Sequence, residues 1–321
     1  MVLYKCRYAM DNITYLEKKL SLDKFEDYLS FPAYYEIETV NACNATCSMC
    51  TVNDWGKHRN PFMSDEIFER MADELIDYKE SVRTVNLSRD GEPLIDKKLE
   101  EKIHYLKTGG IKNIAFSTNA SLLSEKRALA LLESGLDEIM FSIDGLKKAT
   151  FEKIRTGLCF EKIVDNVLNF IKLRNETSSS VKIRVRMVLQ EDNVTEVEEW
   201  GKYWRGFLRE QDSVYAKNIH GWGNQMEGYV ALQEFERIEQ PCTSPFSTMI
   251  IRYNGDVTIC PLDYDFKYCN GNIADQSIKE IWQNGMYFKQ FREFHLEGTR
   301  DDFSLCMGCR LWDSDVTKRI F

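Results

Sequence analysis

The run Tyr34–Cys50, YYEIETVNACNATCSMC, decides how the rest of the chain is read. Its first seven residues, YYEIETV, are rich in aromatic and β-branched side chains and read as a strand. Cys43, Cys47 and Cys50 then follow within eight residues, spaced C-x3-C-x2-C on the loop that leaves that strand. Thiolates are soft ligands that suit zinc or iron–sulfur. Three of them leave a metal position open to a small molecule, whereas a structural zinc site closes with four ligands. His58 could supply a fourth ligand, so zinc stays open as an alternative at this point.

Outward from this loop, strand-like and helix-like runs alternate. DEIFERMADELIDY, residues 65–78, places Ile67, Phe68, Met71, Leu75 and Ile76 at helical spacing, with Ser64 as the cap. VRTVNLS reads as the next strand, followed by a helix over 96–107 that ends at Gly109-Gly110. The strands IKNIAFSTN, LDEIMFSID, VKIRVRMVLQ and SVYAKNI then alternate with the helices SEKRALALLESG, FEKIVDNVLNFIKLRN and TEVEEWGKYWRGFLRE. About six such units over residues 34–219 imply parallel strands joined by right-handed crossovers. Ligands are then expected at the C-terminal ends of the strands.

From residue 238 the pattern changes. Short strand-like pieces flank an Asn254-Gly255 turn, a hairpin signal. A helix near 277–293 and the sequence CMGC follow. The expected division is an extension over 1–33, a βα unit over 34–237 and a cysteine-bearing appendage over 238–321.

Composition narrows the function classes. The chain has 321 residues, 43% hydrophobic and 29% charged, which is globular. A formal charge of −9 argues against a nucleic-acid partner. No apolar run approaches the ~20 residues of a membrane span, and the N-terminus lacks the apolar core of a signal peptide. A cytoplasmic location is therefore expected. In that reducing setting the ten cysteines read as metal ligands rather than disulfides.

C-x3-C-x2-C after the first strand of a βα unit, with Met49 before the last cysteine, resembles the radical S-adenosylmethionine superfamily. The resemblance implies an α/β fold, a partial (β/α)6 TIM-like barrel. It also implies a [4Fe–4S] cluster on Cys43, Cys47 and Cys50 whose open iron chelates the methionine moiety of S-adenosylmethionine. One electron then cleaves the S–C5′ bond, giving a 5′-deoxyadenosyl radical that abstracts hydrogen. An electron donor such as flavodoxin or ferredoxin is implied as partner. The family's Gly-Gly-Glu segment corresponds to Asp90-Gly91-Glu92-Pro93, with Gly91 and Glu92 matching and Asp90 departing. Polar residues expected on the cofactor are Ser117 and Asn119 on the third strand and Ser142 and Asp144 on the fourth.

The fifth strand is informative by itself. Lys182, Arg184 and Arg186 share one face, which a barrel turns inward. Buried guanidinium groups need partners, and Glu36 and Glu38 on the first strand are expected to supply them. Arg184 is read as a cofactor contact and Arg186 as a substrate contact. His220 and Trp222 fall where substrate-facing loops belong.

The second cysteine set is Cys242, Gly255-x4-Cys260 and Cys306-x2-Cys309, enough to close a four-thiolate site. It resembles the SPASM appendage or its shorter twitch relative, which implies a second, auxiliary [4Fe–4S] cluster. Cys269, nine residues past Cys260, is expected to be an alternative ligand or a thiol hydrogen donor; Cys6 and Cys159 are read as packing thiols.

The expected function is hydrogen abstraction from a small polar substrate, a sugar or cyclitol, with dehydrogenation onto the auxiliary cluster. The resemblance supports this, since twitch-bearing relatives oxidise aminocyclitols. The ~33 residues before the first strand are too few for a separate peptide-binding domain. The alternatives are a radical epimerase using Cys269, a peptide- or protein-modifying enzyme, and a non-enzymatic structural zinc protein.

Overall fold

The computed structural model describes residues 2–51, 60–223, 225–226 and 239–309. His58 lies outside the described residues, as does the side chain of Cys6.

Helix α1 (Val2–Leu20) precedes a regular βα series. The series comprises β1 (Tyr34–Ile37), α2 (Asp65–Asp77), β2 (Thr84–Asn86), α3 (Leu99–Thr108), β3 (Ile114–Thr118) and α4 (Glu125–Glu133). It continues with β4 (Glu138–Ser142), α5 (Lys148–Ile154), α6 (Phe160–Glu176), β5 (Lys182–Leu189), α7 (Val197–Arg205) and β6 (Ser213–Asn218). The local chemistry agrees with the sequence. The Ser64 hydroxyl accepts the Ile67 amide hydrogen at 3.2 Å at the start of α2. Beyond α3, Gly110 takes φ +100°, a conformation that favours glycine. Helix α5 is an extra element between β4 and the long α6.

All six strands pair in parallel, in the order β6-β5-β4-β3-β2-β1. In β5 the residues Ile183, Val185 and Met187 are fully buried, packed in the main core with Phe141, Phe170, Trp200 and Trp204. Since β1 and β6 are not ladder partners, the barrel stays open between them.

The described residues beyond 238 extend the barrel sheet. Helix α8 (Ser244–Ser247) leads into β7 (Thr248–Ile251), which pairs in parallel with β1 from Tyr34↔Thr248 to Ile37↔Ile251. The turn at Asn254-Gly255 then returns the chain as β8 (Val257–Thr258), antiparallel to β7, as the hairpin signal implied. One sheet of eight strands therefore leads into both the first cysteine loop, after β1, and Cys260, after β8. The helix expected near 277–293 is two, α9 (Ile278–Asn284) and α10 (Met286–Glu297), broken at Gly285. No described helix is long and apolar enough to cross a membrane.

Candidate active site

The C-terminal ends of the barrel strands open onto a cavity of about 380 Å³. Cys43, Cys47, Met49 and Cys50 lie on one wall. Their loop is pinned to the end of α5, because Thr46 N donates to Thr156 O and Ser48 N to Ile154 O, each at 2.9 Å. Burial is the main cause that pushes the Cys43 thiol up to about 11. It raises Cys47 too, against the pull of Arg155. Thiols so placed ionise when a cation displaces their protons.

The segment at 90–93 packs directly on this loop. Glu92 N donates to Ala42 O at 2.8 Å. A Cβ on Gly91 would stand 2.0 Å from the Val40 carbonyl oxygen, so only glycine permits the approach. Glu92 lies on the cavity wall, yet its carboxylate is already employed. It accepts from Leu94 N at 3.1 Å, Thr118 Oγ1 at 2.6 Å and Asn119 N at 2.7 Å, and so holds the end of β3. Asn119 also lines the wall, and its amide donates to Asn44 Oδ1 at 3.0 Å, fixing the cysteine loop from the other side.

Ser117 and Ser142 are on the wall. Asp144, expected beside them on the cofactor, is fully buried and absent from the wall. It sits behind, accepting from Val188 N at 2.7 Å and pairing with Arg155 at 2.7 Å. Arg155 takes the position on the wall, with its Nη1 3.9 Å from Cys47 Sγ. No motif in the sequence drew notice to Arg155. Its only signal is an arginine set between apolar positions just beyond a short helix.

The two inward arginines of β5 part company. Arg186 reaches the cavity and donates to Ser142 Oγ at 3.0 Å. Arg184 does not. It pairs with Glu138 at 3.1 Å and lies 4.9 Å over the Tyr215 ring. Two residues along a strand is roughly 6.6 Å of depth, which leaves Arg184 below the cavity floor. The expected carboxylate partners also divide. Glu38 turns to β7, where Arg252 is 3.7 Å away, and Glu36 lines the cavity.

The cavity is also lined by the polar residues Glu36, Arg186, Lys217 and His220. Burial, followed by the neighbouring Arg186, drives the Lys217 amine down to about 7. Burial raises the Glu36 carboxyl, with Arg89, Lys217 and Arg186 pulling it back. His220 falls to about 3 through burial and then through Lys217 and Arg186. Its Nδ1 accepts from Trp222 N at 3.3 Å, so the neutral ring carries its hydrogen on Nε2. Trp222 Nε1 in turn donates to Met49 O at 3.2 Å, joining this group to the cysteine loop. The sequence reading passed over Lys217, although a lone lysine in SVYAKNI on the face of Tyr215 was a usable signal.

The second cysteine set is brought together. The Cys260 thiol is raised by burial and further by Cys306, Cys242 and Cys309, which surround it. Pro261 and Leu262, next in sequence to Cys260, line the main cavity. Around a zinc with Zn–S near 2.3 Å, sulfurs sit about 3.8 Å apart. No three of these cysteines lie within 4.8 Å of one another among the described residues. Cys269 joins neither set nor the wall. It is exposed, its thiol directed to Gly271 O at 3.5 Å. The turn before it is folded on Asp263, which accepts from Lys267 N and Tyr268 N at 3.1 Å and sets Cys269 on the outer rim. Cys159 is exposed at the start of α6.

Comparison with known proteins agrees with this geometry. The family model of the radical SAM superfamily matches residues 37–200. That of an iron–sulfur cluster-binding domain, SPASM, matches 242–310. The chain is 25% identical to the tungsten-containing aldehyde ferredoxin oxidoreductase cofactor-modifying protein of Pyrococcus furiosus, over 86% of this chain and 88% of that protein. Its fold is similar to that of BtrN in complex with AdoMet and 2-DOIA, with a TM-score of 0.58 at 19% identity, covering 86% of this chain and 92% of BtrN. It is similar also to Streptococcus suis SuiB bound to the precursor peptide SuiA, with a TM-score of 0.69 at 15% identity, covering 88% of this chain and 74% of SuiB.

The chain belongs to the radical SAM superfamily and carries a C-terminal SPASM iron–sulfur domain. Its cofactors are accordingly a [4Fe–4S] cluster, S-adenosylmethionine and a further iron–sulfur cluster in the C-terminal domain. The donor sets fit them, with three soft thiols opening on the cavity and four more gathered around Cys260.

Proposed function

We propose that this enzyme dehydrogenates a small polar substrate, a sugar or cyclitol, at a carbon bearing a hydroxyl. Cys43, Cys47 and Cys50 hold the cofactor-binding cluster, and Cys242, Cys260, Cys306 and Cys309 the second. When bound, the first cluster with S-adenosylmethionine would supply hydrogen-atom abstraction and the second would supply electron acceptance.

Oxidation of a carbinol to a carbonyl removes one hydrogen atom from carbon, one proton from oxygen and one further electron. The proton is the part left to the protein's own side chains. The observation that carries the reading is Lys217, an amine on the cavity wall with a pKa brought to about 7. A base poised near neutrality is what the hydroxyl proton requires. Arg186, fixed by Ser142, and the Nε2 hydrogen of His220 orient the substrate oxygens. Glu92 and Asn119 hold the cofactor side of the cavity in shape.

An epimerase would return hydrogen from a thiol. Among the described residues the thiols on the wall are Cys43, Cys47 and Cys50, which the cluster takes, and Cys269 is on the outside. This favours dehydrogenation. The test is Lys217→Met in reconstituted enzyme with a panel of sugars and cyclitols. Release of 5′-deoxyadenosine should persist while oxidised product falls at least tenfold. Unchanged product formation in the variant would overturn the assignment.

A further inference from the structure

We propose that His295 is a hydrogen-bond donor to the second cluster, acting on the sulfur of Cys306 to favour the cluster's reduced state. The inference rests on the reading that Cys306 is a ligand.

His295 lies in the last turn of α10 and is 1% exposed. Two contacts fix the roles of its ring atoms. The backbone amide of Cys242 donates to Nδ1 at 3.2 Å. An amide N–H points its hydrogen at a lone pair, so Nδ1 carries none, and the hydrogen of the neutral ring is on Nε2. Nε2 stands 3.5 Å from Cys306 Sγ. The bond therefore runs N–H to sulfur, and it cannot run the other way.

The ring has little freedom to turn. Phe291 meets it edge to face at 5.5 Å, and Phe291 itself packs on Phe303 at 4.4 Å. The helix end is tied down by Asn12 of α1, whose amide donates to Leu296 O at 3.0 Å. One imidazole thus links two cysteines from distant parts of the chain, taking a hydrogen bond at Cys242 and giving one at Cys306.

Hydrogen bonds to cluster sulfurs set the potential of the cluster. A donor stabilises the more negative, reduced form, so the midpoint rises when the bond is present. In the dry surroundings of Phe291 and Phe303 the effect is not screened by water. For a centre proposed to accept an electron from a substrate radical, that direction favours acceptance.

Two variants separate the bond from the ring's bulk. In His295→Asn the side-chain oxygen can still accept from the Cys242 amide, and nothing reaches Cys306. In His295→Gln the longer side chain brings an amide N–H back to the Nε2 position. Both are made in a full-length chain with Cys43, Cys47 and Cys50 replaced by alanine, so that all iron belongs to the second cluster. Iron and sulfide are counted, and the midpoint is measured by reductive titration followed by electron paramagnetic resonance. The expected result is unchanged iron, a roughly tenfold less favourable reduction in His295→Asn (about 59 mV for one electron), and recovery in His295→Gln. A midpoint unmoved at full iron content overturns the role of His295 alone. Absence of iron from the alanine background overturns the ligand reading with it. Iron lost from His295→Asn and regained in His295→Gln would make the residue necessary for assembly, and overturns its role as a tuner.

Discussion

Replacing Lys217 by methionine should disable the enzyme and stabilise it together. The amine is brought down from 10.5 to about 7, first by burial and then by Arg186. A fall of that size corresponds to roughly 5 kcal/mol of unfavourable free energy in the charged form. Because the folded value lies below the unfolded one, the folded chain gives up this proton first. Below pH 7 both states are protonated and the penalty is present in full. Between pH 7 and 10.5 the unfolded chain keeps a proton the folded chain has lost, so stability rises by about 1.36 kcal/mol per pH unit. Methionine keeps much of the stem and removes the charge. The variant should therefore melt higher than the parent at pH 6, with the gap closing by about 2.7 kcal/mol between pH 7 and 9. For 321 residues with an unfolding entropy near 2.1 cal/mol/K each, that is about 4 °C. Thermal midpoints of the two reconstituted proteins at pH 6, 7, 8 and 9 measure it. A parent-to-variant difference that stays constant across this range would refute a neutral Lys217, and with it the proton acceptor.

Gly91→Ala forces a Cβ onto the Val40 carbonyl, and the segment must move off the cysteine loop. We expect ~2–3 kcal/mol of destabilisation and iron loss confined to the N-terminal cluster, read by counting iron in the variant. Asp212→Ala leaves Arg174 buried without its bidentate partner, and strips the acceptor from Ile183 N. It should cost ~3–5 kcal/mol in denaturant unfolding while Lys217 keeps its function, since the pair lies outside the cavity wall.

The strand and helix series was legible because period-two and period-3.6 patterns are strong over elements such as VKIRVRMVLQ and DEIFERMADELIDY. The cysteine loop was legible from spacing alone. Depth along a strand was not, since alternation assigns Arg184 and Arg186 to one face and is silent on which reaches the cavity. Cys269 shows the same limit, for nine residues of separation from Cys260 say nothing of the turn on Asp263 that carries it outward. The addition of β7 to β1 was hidden because TMII is only four residues long, with no partner encoded nearby. Lys217 and His295 acquire their character from what surrounds them, and single residues leave no periodic trace.

The pairing of β7 with β1 has a further consequence. The loop of Cys43, Cys47 and Cys50 leaves β1 and Cys260 follows β8, and β7 lies between these two strands in one continuous ladder. The spacing between the two cysteine sets is thus built like fittings on planks of one floor and not like two bodies on a hinge. Cutting the chain before β7 would bare the β1 edge from Tyr34 to Ile37, leaving a barrel half prone to pairing with other copies in place of a smaller working enzyme.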